Sequence, residues 1–407
     1  MKTPPAVSAL RRQFPQLRGK IYFNHGASSV MPASVLKAAA DGVKLGARFS
    51  LSSQVKAKWF GLKKETRDLA AELIGARPES MAFAASTSVA LSLVSLAIPW
   101  KKGDNVVTAA VENPATVVPW QNLRHLGVQV RYLPADADDL IDLGSLPGLV
   151  DKKTRLVALS LVEYATGQRL DIRRVVEFCR PRGILVSVDA VQALGAVPVD
   201  VASLGVDFLS SGAQKWLMGP RDIALLYVGD TALETIRSPI VTESNVRDIK
   251  VEEEDPTTGV PELRLNEGAL KLEAVPYSNF AGVCGLRQAL LNLRSVGRAT
   301  VYRRLHDITS ELVDGLKELD GRVVSPRGKS EWSGIVSYAP NGVPVRDVAA
   351  RLLRQGVYVA VRKGRLRICP HYYNTSAEVK AFLRLLRNAC CTGAARPAVG
   401  RTPYGTC

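Results

Sequence analysis

The sequence predicts an α/β fold, with a large domain built on a mostly parallel sheet between helices and a smaller C-terminal α+β domain. Between about residues 20 and 230, short runs rich in β-branched residues alternate with helical segments. This alternation is typical of strands joined by crossover helices that cover both faces of a parallel sheet. The stretch 243–268 is polar, acidic and rich in turn residues, and the chain after it is more helical.

This change in composition sets the predicted domain boundaries. A loop of such polarity cannot bury a core of its own, so it marks a connection between two folded parts. We expect an N-terminal segment at 1–20, a large domain at 21–265, a small domain at 266–391 and a disordered tail at 392–407. The tail is rich in glycine, proline and alanine, a composition that does not favour a packed structure.

Ordinary signals bound the elements of the large domain. The run NVVTAAV (105–111) predicts a strand, and the helix after it has Asn113 as its N-cap, proline at its first position and Gly127 after its end. The run RLVALSLV (155–162) is apolar enough for a strand buried on both faces. A helix follows between Asp171 and Gly183, and three more strands are predicted: ILVSVDA, VDFLSS and IALLYV.

Charge and cysteine content exclude several classes of function. The chain has 407 residues and a formal net charge of +16, but its basic residues are scattered, so we do not expect it to bind nucleic acid. The six cysteines show no disulfide or metal-ligand spacing. The N-terminus lacks the apolar core of a secretory signal and no run is long enough to span a bilayer, so we expect a cytoplasmic protein without membrane contact.

The stretch SGAQKWLMGP (211–220) places Lys215 against tryptophan, leucine and methionine. Lysine is rarely buried, because removing its charge from water is costly. Lys215 either lays its methylene groups along an apolar surface and keeps its charge in water, or is a poorly solvated amine that serves as a nucleophile. The rest of the sequence decides between these two interpretations.

Two other polar features occur where predicted strands end. Asp189 closes a strongly apolar strand, and ligands of open parallel sheets bind at the carboxyl ends of strands. Ser86, Thr87 and Ser88 follow another short strand and open a helix, whose free N–H groups suit a phosphate. Taken alone, each feature also fits a simple helix cap.

A phosphate-binding helix start, a buried acid at a strand end and a desolvated lysine are together the parts that hold pyridoxal phosphate. The lysine forms a Schiff base with the cofactor aldehyde, and the carboxylate keeps the pyridine nitrogen protonated. The combination is far more specific than any one of its members. It favours the chemical interpretation of Lys215.

These residues resemble the class V aminotransferase superfamily of fold-type I pyridoxal-phosphate enzymes, which includes the cysteine desulfurases and an isopenicillin N epimerase-like branch. The resemblance runs from IYFNHGASSVMP (from Ile21) to RLRICPHYYNT (from Arg365). It implies that Lys215 is the Schiff-base lysine, that Asp189 pairs with the pyridine nitrogen and that Gln192 reaches the ring hydroxyl. The implied phosphate ligands are hydroxyls of Thr87, Ser88 and either Ser210 or Ser211.

The same resemblance assigns substrate-side residues. Arg367, in RLRICPHYYNT, falls on the arginine that grips the substrate α-carboxylate, a task that suits a bidentate guanidinium. NHGASS and SLVEYATGQRLD are similar to the epimerase-like branch, which makes His25 and Tyr164 candidate substrate-binding residues. His25 is equally well explained as a histidine at a helix entry that bonds the backbone.

Departures from the desulfurase pattern concern the reaction. Asn113 and Gln214 lie where the resemblance expects cofactor-binding histidines, so proton transfer falls to Lys215 itself. No inserted loop carries a sulfur-accepting cysteine before Arg367, and Cys369 directly after it fits a core residue, so cysteine desulfurase activity is disfavoured. The stretch EAVPYSN (273–279) also lacks a threonine that commonly reaches the neighbouring subunit's phosphate, although Tyr277 or Ser278 could replace it.

The sequence therefore predicts a pyridoxal-phosphate enzyme that acts at the α-carbon of an amino acid through Lys215, as an aminotransferase, an epimerase or a β-eliminating lyase. The family resemblance implies a homodimer. The competing hypothesis is a non-catalytic or regulatory scaffold of the same fold, which binds nucleic acid through its basic charge. The presence of Lys215, Asp189 and Arg367 together argues against a scaffold, which needs no carboxylate clamp beside a Schiff base.

Overall fold

The computed structural model describes residues 5–242, 244–247, 264–275 and 278–391. Its strands, numbered in chain order, are β1 Ile21–Tyr22, β2 Met81–Ala84, β3 Asn105–Ala109, β4 Gln129–Leu133, β5 Thr154–Ser160, β6 Leu185–Asp189, β7 Phe208–Gly212, β8 Ala224–Val228, β9 Gly321–Val323, β10 Val336–Pro340, β11 Val357–Tyr358, β12 Ala360–Arg362 and β13 Arg365–Ile368. Its α-helices are α1 Pro5–Arg11, α2 Ala33–Gly46, α3 Ser53–Ile74, α4 Thr87–Ala97, α5 Pro114–Asn122, α6 Leu146–Leu149, α7 Ile172–Cys179, α8 Val201–Leu204, α9 Asp230–Leu233, α10 Phe280–Val296, α11 Arg298–Lys317, α12 Val345–Arg354 and α13 Ser376–Cys391.

A seven-stranded sheet in the order β2-β8-β7-β6-β5-β3-β4 forms the centre of the protein. Strands β7, β6, β5, β3 and β4 are parallel, and β8 runs antiparallel to both of its neighbours. The parallel strands all place their carboxyl ends at one edge of the sheet, which becomes the edge available for a ligand. The predicted α/β fold with a mostly parallel sheet is confirmed.

Burial of both sheet faces explains why the central strands are apolar throughout. Successive residues of a strand point to opposite faces, so Val106 and Val107 of β3 enter different cores, as do Leu156 and Val157 of β5. Each face is covered by its own set of helices, as expected for parallel strands joined by helical crossovers.

A smaller antiparallel sheet in the order β12-β13-β10-β9 lies in the C-terminal part of the chain. A third core, formed with residues of α11, α12 and α13, backs this sheet. The N-terminal strand β1 pairs in parallel with β11, and Asn24 bridges to Cys369 just beyond β13. The segment that begins at Ile21 is thereby tied to the C-terminal part.

The domain boundaries stay a prediction. Helix α10, which falls in the predicted small domain, packs against α2 and α3. The predicted tail at 392–407 and most of the acidic stretch at 243–268 lie outside the described residues.

The predicted helix and strand boundaries agree closely with the structure. Asn113, Asp171 and Gly183 bound helical segments as expected, and the strand predicted at 105–111 ends at Ala109. Across the described ranges, no helix is long and apolar enough to cross a bilayer, and no cluster of three or more His, Cys, Asp or Glu side chains could hold a metal ion.

Candidate active site

A cavity of about 110 Å³ opens at the carboxyl edge of the parallel sheet. The turns after β2, β3, β5, β6 and β7 converge on it, as expected for a ligand site of this fold class. Its lining residues are Ser86, Thr87, Ser88, Asn113, Ala115, Ser160, Tyr164, Asp189, Val191, Gln192, Gln214 and Lys215. Most of the residues predicted for cofactor binding therefore come together in one place.

Lys215 lies half-buried in this cavity, three residues beyond the end of β7. Loss of surrounding water lowers the pKa of its amine to about 8, against a smaller opposing effect of the Asp189 charge. A much larger fraction of the amine is therefore neutral at physiological pH than for an ordinary lysine. Ser29 holds the lysine backbone in place, because its hydroxyl donates to the Lys215 carbonyl oxygen.

Asp189 ends β6 as predicted and is almost fully buried. Its Oδ1 accepts a hydrogen bond from the Val191 N–H at 2.8 Å, and its Oδ2 accepts one from the Thr116 hydroxyl at 2.9 Å. Burial raises the pKa of this carboxyl, whereas the two hydrogen bonds and the positive charge of Lys215 oppose the rise. The carboxylate is thus fixed in position and needs a cationic partner in the cavity.

The start of α4 contributes Ser86, Thr87 and Ser88 to the cavity lining. Ser86 caps the helix by accepting from the Val89 N–H, so the first-turn amides of Thr87 and Ser88 have no acceptor within the helix. The Thr87 hydroxyl accepts from the Gly212 N–H at 2.9 Å and keeps its own proton to donate. Backbone and side-chain donors at a helix N-terminus suit an anion.

Gln214 and Gln192 complete the polar lining. The Gln214 Oε1 is buried without a hydrogen-bond partner among the described residues. The Gln192 Nε2 donates to the Gly26 carbonyl, and its Oε1 accepts from the Trp216 indole N–H. Gln192 is therefore held rigidly where it borders the cavity, while Gln214 has hydrogen-bonding capacity left for a ligand.

Asn113 caps a helix and also borders the cavity, while its cofactor-binding role stays a prediction. Its Oδ1 accepts from the Ala115 N–H and caps α5, and its side chain also lines the cavity. Thr116 follows three residues later on the same turn, which carries its hydroxyl to Asp189. Thr116 is not among the predicted site residues, although its spacing from the N-cap indicates the direction of its side chain.

Three predicted site residues lie elsewhere. Ser210 and Ser211 are internal to β7, so their side chains point into the two faces of the sheet, and neither lines the cavity. His25 is fully buried, with its Nδ1–H donating to the Cys369 carbonyl and its Nε2 accepting from the Tyr373 hydroxyl, both at 2.8 Å. Burial lowers the pKa of His25 to about 4, which fits the interpretation of a histidine bonded to the backbone.

Arg367 lies next to the cavity on β13 and is only 2% exposed. Its Nη1 donates to the Tyr164 carbonyl at 2.8 Å, whereas its Nε and Nη2 are buried without partners among the described residues. Such unpaired donors are costly unless a ligand satisfies them. The guanidinium edge is therefore suited to a carboxylate.

A second buried carboxyl, that of Glu112, fixes one of the cavity-lining residues. Glu112 accepts hydrogen bonds of 2.6 Å from both the N–H and the hydroxyl of Ser160, a lining residue. Burial raises the pKa of Glu112 to about 7, with smaller contributions from the Asp189 and Glu163 charges. The sequence analysis did not identify Glu112, because a carboxylate before an N-cap gives no local signal of burial.

Of the residues suggested for a contact between subunits, Tyr277 lies outside the described residues. Ser278 is exposed and does not line the cavity.

Comparison with known proteins identifies the family. A family model described as Aminotransferase class-V matches residues 21–385. The chain belongs to the class V aminotransferase family. Class V aminotransferases are pyridoxal-phosphate enzymes that act on amino acids, so the family and cofactor predicted from the sequence are confirmed.

Several relatives of this chain are named as cysteine desulfurases. A "probable cysteine desulfurase" of Pyrococcus abyssi is 27% identical and covers 95% of this chain and 97% of its own. A cysteine desulfurase of Escherichia coli is also 27% identical, over 93% of this chain and 94% of its own. These names stand against the expectation that desulfurase activity is disfavoured.

Solved structures agree with the fold. The apo structure of cysteine desulfurase from Thermococcus onnurineus has a TM-score of 0.83 and 26% identity, and covers 95% of this chain and 98% of its own. A mutant of C-DES with glycine covalently linked to its PLP cofactor has a TM-score of 0.83 and 24% identity, over 92% and 98% of the two chains. The fold-type I architecture is therefore confirmed.

The buried Glu112 carboxyl predicts a pH dependence of stability. Its folded-state pKa of about 7 lies above the roughly 4.3 of an unfolded glutamate, so the folded state keeps a proton that the unfolded state releases as pH rises. This contribution to stability is complete below the unfolded pKa and is lost as pH rises towards 7. Glu112→Gln removes the ionisable group, so wild type should lose stability relative to this variant between about pH 5 and 7.

Thermal unfolding of both proteins at a series of pH values measures this difference. Glu177→Gln, at an exposed glutamate of α7 paired with Arg173, is the control and should run parallel to wild type. Parallel curves for Glu112→Gln as well would contradict the assignment.

Proposed function

We propose that this chain removes the α-proton of an amino acid bound to pyridoxal phosphate, with Lys215 as the base, in transamination or β-elimination. The observation that carries the proposal is the half-buried Lys215 amine, with its lowered pKa, in a cavity that also contains Asp189 and borders Arg367. Pyridoxal phosphate, when bound, withdraws electrons from the substrate α-carbon through its protonated pyridine ring.

Each residue of the cavity has a distinct task in this proposal. Asp189 holds a proton on the ring nitrogen, and its hydrogen bonds from Thr116 and Val191 fix the carboxylate for that purpose. The first turn of α4 and the Thr87 hydroxyl bind the phosphate. Lys215 would hold the cofactor aldehyde in the resting protein, and once the substrate amine replaces it there, the released neutral amine would take and return the proton at the α-carbon.

A single base favours transamination or β-elimination over epimerisation. Epimerisation takes a proton from one face of the α-carbon and delivers another to the opposite face. Lys215 is the one basic side chain that lines the cavity within the described residues. The phenol of Tyr164 also lines it, but burial raises its pKa, so at neutral pH it keeps its proton and does not act as a base.

Sulfur transfer to the protein is not part of the proposal, although relatives are named cysteine desulfurases. A sulfur-accepting cysteine must present a thiolate that can move. Cys369 lies beside Arg367, but it is fully buried, and burial raises the pKa of its thiol. Its backbone is further fixed by the bridge to Asn24. Release of a sulfur-containing fragment by β-elimination needs no such cysteine.

A homodimer in the cytoplasm is the proposed setting. Leu36 and Val43 project seven residues apart from one face of α2 and are 57% and 60% exposed, a pattern that supports a protein contact there. The five cysteines among the described residues carry no disulfide, which supports a reducing compartment.

Borohydride reduction of the protein reconstituted with cofactor, followed by peptide mapping, should place the cofactor on Lys215. Lys215→Ala should lose that label and nearly all turnover, because it removes both the covalent link and the base. Lys271 is the matched control, because burial also lowers its pKa. Its amine donates to the Leu233 carbonyl outside the cavity, so peptide mapping should find no cofactor on Lys271. A label on Lys271 instead of Lys215 would refute the assignment.

Replacement of Cys369 separates β-elimination and transamination from sulfur transfer. Cys369→Ala should keep turnover of the best amino-acid substrate within a few-fold of wild type, because the thiol takes no chemical part. Mass spectrometry of wild type after incubation with cysteine should show no added sulfur on Cys369. A persulfide there, together with loss of turnover in the variant, would establish a desulfurase.

Arg367 should anchor the substrate without taking part in the chemistry. Arg367→Ala should keep the cofactor and its colour but raise KM by some tens to several hundred fold, since a buried bidentate pair is worth on the order of 2–4 kcal/mol. Arg367→Lys retains the charge without the planar fork and should be intermediate. Steady-state kinetics distinguish an anchoring role from a chemical role, because a chemical role would lower kcat and leave KM unchanged.

A further inference from the structure

Three arginines project from one face of the small sheet. In the antiparallel pair β12–β13, Arg362 lies opposite Arg365 and Ala360 lies opposite Arg367. Residues directly opposite each other share a face, and so do residues two apart on one strand. Arg362, Arg365 and Arg367 therefore share a face. Because Arg367 reaches the Tyr164 carbonyl, this face is turned towards the cavity.

The three guanidinium groups differ in how their charge is balanced. Arg365 forms an ion pair with Asp139, and Lys363 lies 4.0 Å from the same carboxylate. Arg362 donates to the Val361 carbonyl oxygen at 2.8 Å and forms no ion pair with a carboxylate of the described residues. Arg367, described above, likewise has no carboxylate bonded to it in the described part of the chain. Within those residues, two arginines of this face thus have no anionic partner.

Among the described residues, Glu163 is the carboxylate whose charge acts on Arg367, and its two oxygens differ in their hydrogen bonding. The Glu163 Oε2 accepts from the N–H groups of Ala165 and Thr166 and from the Thr166 hydroxyl. Its Oε1 is buried without a hydrogen-bond partner among the described residues, and neither Arg362 nor Arg367 forms an ion pair with it there.

Arg362 also acts electrostatically on the reacting groups. Its charge lowers the pKa of Lys215, of Arg367 and of the Tyr164 phenol. The strand register places Arg362 on the same face of the sheet as Arg367, so both guanidinium groups lie on the cavity side. A half-buried cation so close to two others is unfavourable unless an anion joins them.

We propose that the substrate is an α-amino acid with a second acidic group, whose α-carboxylate binds Arg367 and whose side-chain anion binds Arg362. This inference rests on the proposed function. A single α-carboxylate can form a bidentate pair with one guanidinium, and a dicarboxylic substrate supplies the second anion. Arg362 is thus a specificity-determining residue that discriminates acidic amino acids from their neutral counterparts.

Matched pairs of amino acids test this assignment. Aspartate and asparagine, and likewise glutamate and glutamine, have nearly the same shape and differ in charge. Their dissociation constants for the cofactor-loaded protein are measured by calorimetry and by the change in absorbance of the bound cofactor. Wild type should bind at least one acid about tenfold or more tightly than its amide, the discrimination expected for a charged pair.

Variants of the same strand separate Arg362 from general positive charge. Arg362→Gln should weaken binding of the preferred acid by about 10- to 100-fold and leave its amide unchanged. Arg362→Lys should recover part of the preference. Lys363→Gln removes a neighbouring exposed charge that faces Asp139 and should leave both constants unchanged. Melting temperatures close to wild type establish that the variants are folded.

The outcomes distinguish this inference from the proposed function. Equal binding of acids and amides by wild type, or equal weakening of both by Arg362→Gln, overturns the acidic-substrate assignment while amino-acid binding stands. If none of the four amino acids binds, the acidic-substrate assignment is overturned, whereas the proposed function fails only if borohydride reduction places no cofactor on Lys215.

Discussion

The cost of burying charge at the carboxyl edge of the parallel sheet is the constraint on which the rest of the structure depends. Asp189, Glu112 and Glu163 are all nearly fully buried at this edge, and burial raises the pKa of each carboxyl. Backbone amides and hydroxyls donate hydrogen bonds to all three carboxyls. These bonds offset part of the cost of burial, and only the whole fold brings their donors together.

The small sheet brings arginine side chains to the same edge. The Asp138 and Asp139 carboxylates pair with Arg322 and Arg365, and so connect the loop after β4 to β9 and β13. The parallel bridge from Asn24 to Cys369 links the N-terminal segment to the same sheet. Arg367 is consequently held on a strand, where its Nη1 donates to the Tyr164 carbonyl, and not on a loop.

The sequence alone determines those features that depend only on residues near each other in the chain. Alternation of strands and helices predicts the α/β fold, because periodicity and capping are local properties. Asp189 and Lys215 were predicted because each breaks an apolar run, where an unneeded charge would be costly. The proline after Asn113 predicts it as an N-cap. The helix that it caps begins beside the cavity, so Asn113 also lines the cavity.

Tertiary structure decided the features that join distant parts of the chain. The strand positions of Ser210 and Ser211 aim their hydroxyls into the sheet faces, and the partners of His25 lie more than 340 residues away. Whether Arg362 finds an acidic partner depends on how β12 meets β13 and the loop that carries Asp139. Hydrogen bonds and ion pairs act over a few ångströms in space, so their partners cannot be identified from the order of residues.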